Sequence, residues 1–84
     1  MAKQILVVDD EDRIRQSLNG ILRDEGYEVQ EAKDGTQALK QLEIDPPDLV
    51  LLDIWMPGMD GMEVLERIKT QNPKMPVIMI SGHG

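Results

Sequence analysis

Four strand-length apolar runs, spaced along 84 residues and separated by stretches of helical period, constrain the fold more than any other feature of this chain. The runs are Ile5 to Val8, the weaker Tyr27 to Gln30, Leu49 to Leu52 and Val77 to Ile80. Ile14, Leu18, Ile21 and Leu22 recur at i, i+4, i+7 and i+8. Ala38, Leu39 and Leu42 make a second helical stripe, and Val64, Leu65 and Ile68 a third. The punctuation agrees with the period: Gly26 closes the first helix, Asp34-Gly35 opens the second and Pro46-Pro47 forbids its continuation. Asp60 with Glu63 has capping-box spacing for the third. The order is β-α-β-α-β-α-β.

Strands that alternate with helices need right-handed crossovers, which give a parallel sheet with helices on both faces. Three runs are continuously apolar, as burial on both sides demands, whereas Tyr27 to Gln30 alternates and is expected at an edge. Placing it outside the first strand and reversing the chain direction predicts an open α/β sheet of order 2-1-3-4. Ligands of such sheets bind at the carboxyl ends of the strands where the order reverses, here between strands one and three.

Length and charge narrow the function. The chain holds one small domain. Its lack of cysteine excludes disulfide frameworks, thiol catalysis and cysteine-based zinc sites. Nine basic against sixteen acidic residues leave a formal charge of −7, and Tyr27 and Trp55 are the sole aromatics, so neither a basic patch nor a stacking platform for nucleic acid exists. No run approaches the ~20 apolar residues of a membrane helix, and the start leads straight into a strand instead of a signal sequence. A cytoplasmic location is expected.

Strand one ends in Asp9-Asp10 and strand three in Asp53, so three carboxylates should emerge into one crevice at the switch point. Like charges held together disfavour ionisation, and a cation is the natural compensation. Oxygen donors without His or Cys suit a hard ion, and Mg²⁺ takes one or two carboxylates while leaving positions for water and phosphate. Taken separately, Asp9 to Asp12 could merely cap a helix and Asp53 could merely start a loop. Their joint placement carries the functional reading. Asp10→Asn, which removes a like charge from the crowded site, is expected to stabilise the metal-free fold.

Three stretches in order, Ile5-Leu6-Val7-Val8-Asp9-Asp10-Glu11, Asp53-Ile54-Trp55-Met56-Pro57-Gly58-Met59-Asp60-Gly61 and Pro76-Val77-Ile78-Met79-Ile80-Ser81-Gly82, resemble the successive signatures of the receiver domain of two-component response regulators. The tail Ile80-Ser81-Gly82-His83-Gly84 is most similar to receivers of the nitrogen-regulation, NtrX-like type, which sit in front of sigma-54-dependent activators. The resemblance implies a flavodoxin-like fold and a phosphoacceptor role for Asp53, served by a sensor histidine kinase. It further implies Mg²⁺ held directly by Asp10, through water by Asp9, and by Asp53 and the Trp55 carbonyl, with the Ser81 hydroxyl turning toward the phosphoryl group. The chemistry suits these residues, since phosphoryl transfer is mostly positioning and charge neutralisation.

Receivers continue past the fourth strand with a helix, a fifth strand that precedes an active-site lysine, and a final helix. Residues 1–84 are therefore expected to be a partial receiver domain, ahead of a C-terminal output domain that this chain does not contain. The apolar fourth strand, with nothing after it to pair, is expected to drive self-association. His83 reads as a solvated loop residue and the methionines as core filler. Two rivals stand against the signalling module. One is an aspartate-nucleophile phosphatase of the haloacid-dehalogenase type, suggested by Asp10-Glu11-Asp12, although Asp9 before and Arg13 after depart from that motif. The other is an interaction module that is never phosphorylated.

Overall fold

The structure, a computed structural model, describes residues 2–55 and 60–80. Its elements are β1 (Gln4–Val8), α1 (Asp12–Asp24), β2 (Glu28–Ala32), α2 (Gly35–Ile44), β3 (Leu49–Asp53), α3 (Gly61–Gln71) and β4 (Val77–Ile80). The four strands form one parallel sheet in the order β2-β1-β3-β4, the flavodoxin-like arrangement with the order reversing between β1 and β3.

The register explains the layers. Leu6 and Val8 stand beside Val50 and Leu52, and these beside Val77 and Met79, so one face of the pleat is apolar across three strands. That face receives Ala38 and Leu42 of α2 and Val64 and Ile68 of α3, which form a single core cluster with it. The crossover from β1 to β2 runs opposite to that from β2 to β3, so right-handedness puts α1 on the other face, against β1 and β2. Ile5 and Val7 are buried there.

The α1 stripe falls short of its expected burial. No residue of α1 is fully buried and Ile21 is 59% exposed, because among the described residues α1 is the one helix on its face and its contacts run only to the β1–β2 side. Strand β4 is uncovered for a related reason: it has the composition of an interior strand, yet Ile78 is 51% exposed on the face that α1 does not reach.

Helix ends match their residues. Gly26 takes φ +93°, and the N–H groups of Gly26 and Tyr27 donate to the carbonyls of Arg23 and Leu22, the paired bonds of a Schellman stop. That stop absorbs Tyr27, so β2 starts at Glu28 and runs on to Ala32, later than the expected run, to stay paired with β1 as far as Val8. The Asp34 carboxylate caps α2 by accepting from the Gln37 N–H at 2.8 Å. Asp60 caps α3 through the Met62 N–H at 2.9 Å, while Glu63 departs from the capping box and reaches forward to Arg67 at 3.2 Å.

Candidate functional site: a carboxylate crevice at the switch point

Adjacent parallel strands β1 and β3 deliver their last residues to the same sheet edge. Val8 pairs with Leu52, so Asp9 and Asp53 emerge side by side at the carboxyl end. Both are completely buried. Asp10, one residue on, is exposed. One carboxylate oxygen from each of the three lies within 4.8 Å of the others, an open-sided cage of oxygen donors.

Backbone amides fix the two buried carboxylates. Asp9 Oδ1 accepts from the Glu11 N–H at 2.9 Å, and Asp53 Oδ1 accepts from the Trp55 N–H at 3.0 Å. Each is a short local turn in which an Asp side chain holds the N–H two residues ahead. Among the described residues, Asp9 Oδ2 is buried with no hydrogen-bond partner. Burial pushes the Asp9 carboxyl above the usual range; the Glu11 amide opposes this, and the negative charges of Asp53, Asp10 and Glu11 add to it. A buried carboxylate oxygen that lacks a donor and sits among like charges fits a hard divalent cation, which would supply the missing positive charge. The donor set is oxygen only, as Mg²⁺ prefers.

Asp9, Asp10 and Asp53, three of the residues expected at the site, are thus brought together. Trp55 is adjacent through its bond to Asp53, with its side chain 61% exposed on the rim. Ser81 lies outside the described residues, as do Met56 to Met59 and His83. Asp12, on which the phosphatase alternative depends, is exposed on α1 and ion-paired with Arg15, and it does not belong to the cluster.

Two features of the site went unread in the sequence. At Gly61, the first residue of α3, a Cβ would overlap Ile54 Cα and come within 3.0 Å of the Asp53 carbonyl oxygen. Only a glycine lets the helix start this close to the strand end, a requirement of approach rather than of backbone angle. Arg15 sends its guanidinium back from α1 to the Asp9 carbonyl, 2.6 Å away. The available signal was an arginine in the first turns of a helix, where the dipole favours acids.

The description of the response regulator receiver domain family matches residues 5–84. The nitrogen assimilation regulatory protein NtrX of Azorhizobium caulinodans is 49% identical over 86 aligned residues, which take in all of this chain and 19% of that protein. The receiver domain of NtrX from Brucella abortus superimposes with a TM-score of 0.89 at 52% identity, over 95% of this chain and 68% of that one. The response regulator TrrA of Thermotoga maritima, solved in complex with Mg²⁺-BeF, does so with a TM-score of 0.92 at 43% identity, over 98% and 71%. This chain thus spans about a fifth of the NtrX protein and roughly two thirds of these receiver structures. No helix of the described residues is long and apolar enough to cross a membrane. A parallel sheet of order 2-1-3-4, with aspartates closing its two central strands and a family match over nearly the whole length, establishes that the chain belongs to the response regulator receiver domain family.

Proposed function

We propose that residues 1–84 act as a phosphoacceptor receiver unit in which Asp53 takes a phosphoryl group from a sensor histidine kinase. The carboxylate oxygen of Asp53 forms the new O–P bond while the P–N bond to the kinase imidazole breaks, the leaving nitrogen keeping the electron pair. Asp9, Asp10, Asp53 and the Trp55 carbonyl are the ligands we assign to Mg²⁺, which when bound offsets the negative charge of the transferring oxygens. Ser81 is assigned the hydroxyl that meets the phosphoryl group. The observation that carries the reading is the trio of converging carboxylates, two of them fully buried and one with an orphaned oxygen. The Mg²⁺-BeF complex of TrrA, a relative at 43% identity, supports the choice of metal.

In this reading the module passes no substrate through. It works in the cytoplasm and reports to an output domain of the transcriptional-activator kind, as the NtrX relatives suggest. Taken alone, the 84-residue chain associates with itself through β4. The test is incubation of the intact receiver with Mg²⁺ and acetyl phosphate, followed by intact mass. Gain of one phosphoryl group by the wild type and none by Asp53→Asn is the expected result. Equal labelling of both removes Asp53 from the role, and Mg²⁺ binding with no labelling of either favours the unphosphorylated interaction module.

A further inference from the structure

A misplaced carboxylate would weaken the site most, yet Asp9 sits one residue past the end of β1, beyond the last paired residue of the strand. Its main chain is nonetheless held on both sides. The Asp9 N–H donates to the Ala32 carbonyl at 3.1 Å, and the Asp9 carbonyl accepts from Arg15 Nη1 at 2.6 Å. Arg15 is itself braced. Its Nε donates to Glu31 Oε1 at 3.2 Å, its Nη2 pairs with Asp12, and the other Glu31 oxygen takes the Asn19 amide at 2.7 Å. One guanidinium, its side chain 13% exposed, therefore ties α1 and edge strand β2 to the end of β1.

We propose that Arg15 is the positioning residue of the carboxylate site: by gripping the Asp9 carbonyl from a brace on Glu31, it fixes the backbone from which Asp9 and Asp10 face Asp53. The assignment rests on the Mg²⁺ reading given above. It makes a prediction opposite in sign to simple electrostatics. Arg15 is a cation near a cation site, so if charge alone counted, its removal would tighten Mg²⁺ binding. If Arg15 positions the ligands, its removal loosens binding despite the relief of repulsion. Groups that orient metal ligands from behind typically contribute ~10- to 100-fold to affinity.

Calorimetric titration of the 84-residue chain with Mg²⁺ decides between them, using wild type, Arg15→Met, Arg15→Lys and Glu31→Gln, each checked for folding by circular dichroism. Arg15→Met should weaken Mg²⁺ about tenfold, while Arg15→Lys, which keeps one donor for the Asp9 carbonyl, should recover most of the loss. Glu31→Gln leaves the grip but loosens the brace, and should weaken binding by a smaller factor in the same direction; it carries the test should Arg15→Met not fold. Unchanged or tighter binding in folded Arg15→Met, or in Glu31→Gln if that variant alone folds, overturns the proposal. So does a lysine variant as weak as the methionine one, because a retained donor to the Asp9 carbonyl would then do nothing for the site. Absence of Mg²⁺ binding in the wild type sinks the parent reading and this one with it.

Discussion

The two faces of the sheet are built from the same kinds of residue and end in different states. On the α2–α3 side, Leu6, Val8, Val50 and Leu52 are fully buried against two helices. On the α1 side, Ile5 and Val7 are buried, but Ile78 is half exposed and α1 itself buries nothing completely. Apolar composition states what a strand can bury, whereas the cover available to it determines what it does bury. The closed face anchors the strand ends that carry Asp9 and Asp53, so the site is supported even though the opposite face is open.

The largest effect should come from cutting into the closed face. Leu52→Ala removes most of a completely buried side chain and should cost about 2–5 kcal/mol, enough to unfold a domain this small. Ile78→Ala, on the open face, should cost well under half as much, because its side chain is already half in water. Urea denaturation of the two variants checks the contrast, and equal losses would erase the distinction between the faces.

Next in size is Gly61→Ala. The added methyl meets the backbone of Ile54, which cannot swing aside as a side chain could. A cost of about 1–3 kcal/mol is expected, the range for overpacking, seen as a lowered melting temperature together with weakened Mg²⁺ binding as α3 is pushed off Asp53.

A smaller effect of opposite sign sharpens the account of the site. Burial singles out Asp9, rather than the exposed Asp10, as the carboxylate whose charge strains the metal-free fold. Asp9→Asn should raise the melting temperature without metal by a few degrees, the scale of about 1 kcal/mol in a domain of this length. The pH dependence follows from linkage. The folded Asp9 carboxyl holds its proton to higher pH than the unfolded one, so the native state binds more protons between the ordinary value of 3.8 and the raised one. Across that window the wild type should lose stability relative to Asp9→Asn as pH rises and regain it on acidification. Denaturation midpoints of both proteins over a pH series measure the difference, and a gap independent of pH would contradict it.

The smallest effect on folding belongs to Ile78→Lys. It should cost the monomer no more than Ile78→Ala while abolishing concentration-dependent light scattering by the 84-residue chain, since a charge on an apolar edge strand blocks pairing with a second copy. Scattering that rises equally in both proteins would remove β4 from the association.

Much of this was legible from residues alone. The four strands, the stops at Gly26 and Pro46-Pro47 and the cap at Asp34 follow from local rules, and the strand order and the three converging carboxylates from the handedness of the crossovers. Long-range geometry hid the rest. The start of β2 moved because Tyr27 was claimed by the helix stop, and the end of β2 because β1 needed a partner. Gly61 matters through a backbone brought close only by folding, and Arg15 through a carbonyl that becomes its partner once α1 turns back over β1. Periodicity found the α1 stripe, but no pattern within α1 reports how much of its face a neighbour will cover.

The central claim is that Asp53, poised beside Asp9 and Asp10, is the residue that carries the phosphoryl group and that it needs a divalent cation to do so. Treating the intact receiver with acetyl phosphate in Mg²⁺ and, separately, in chelator, then reducing it with borohydride, converts any aspartyl phosphate to homoserine that peptide mass spectrometry can locate. Homoserine at position 53 in Mg²⁺, and at no position in chelator, is the predicted result; homoserine at position 9 or 10, or at 53 regardless of metal, would contradict the account.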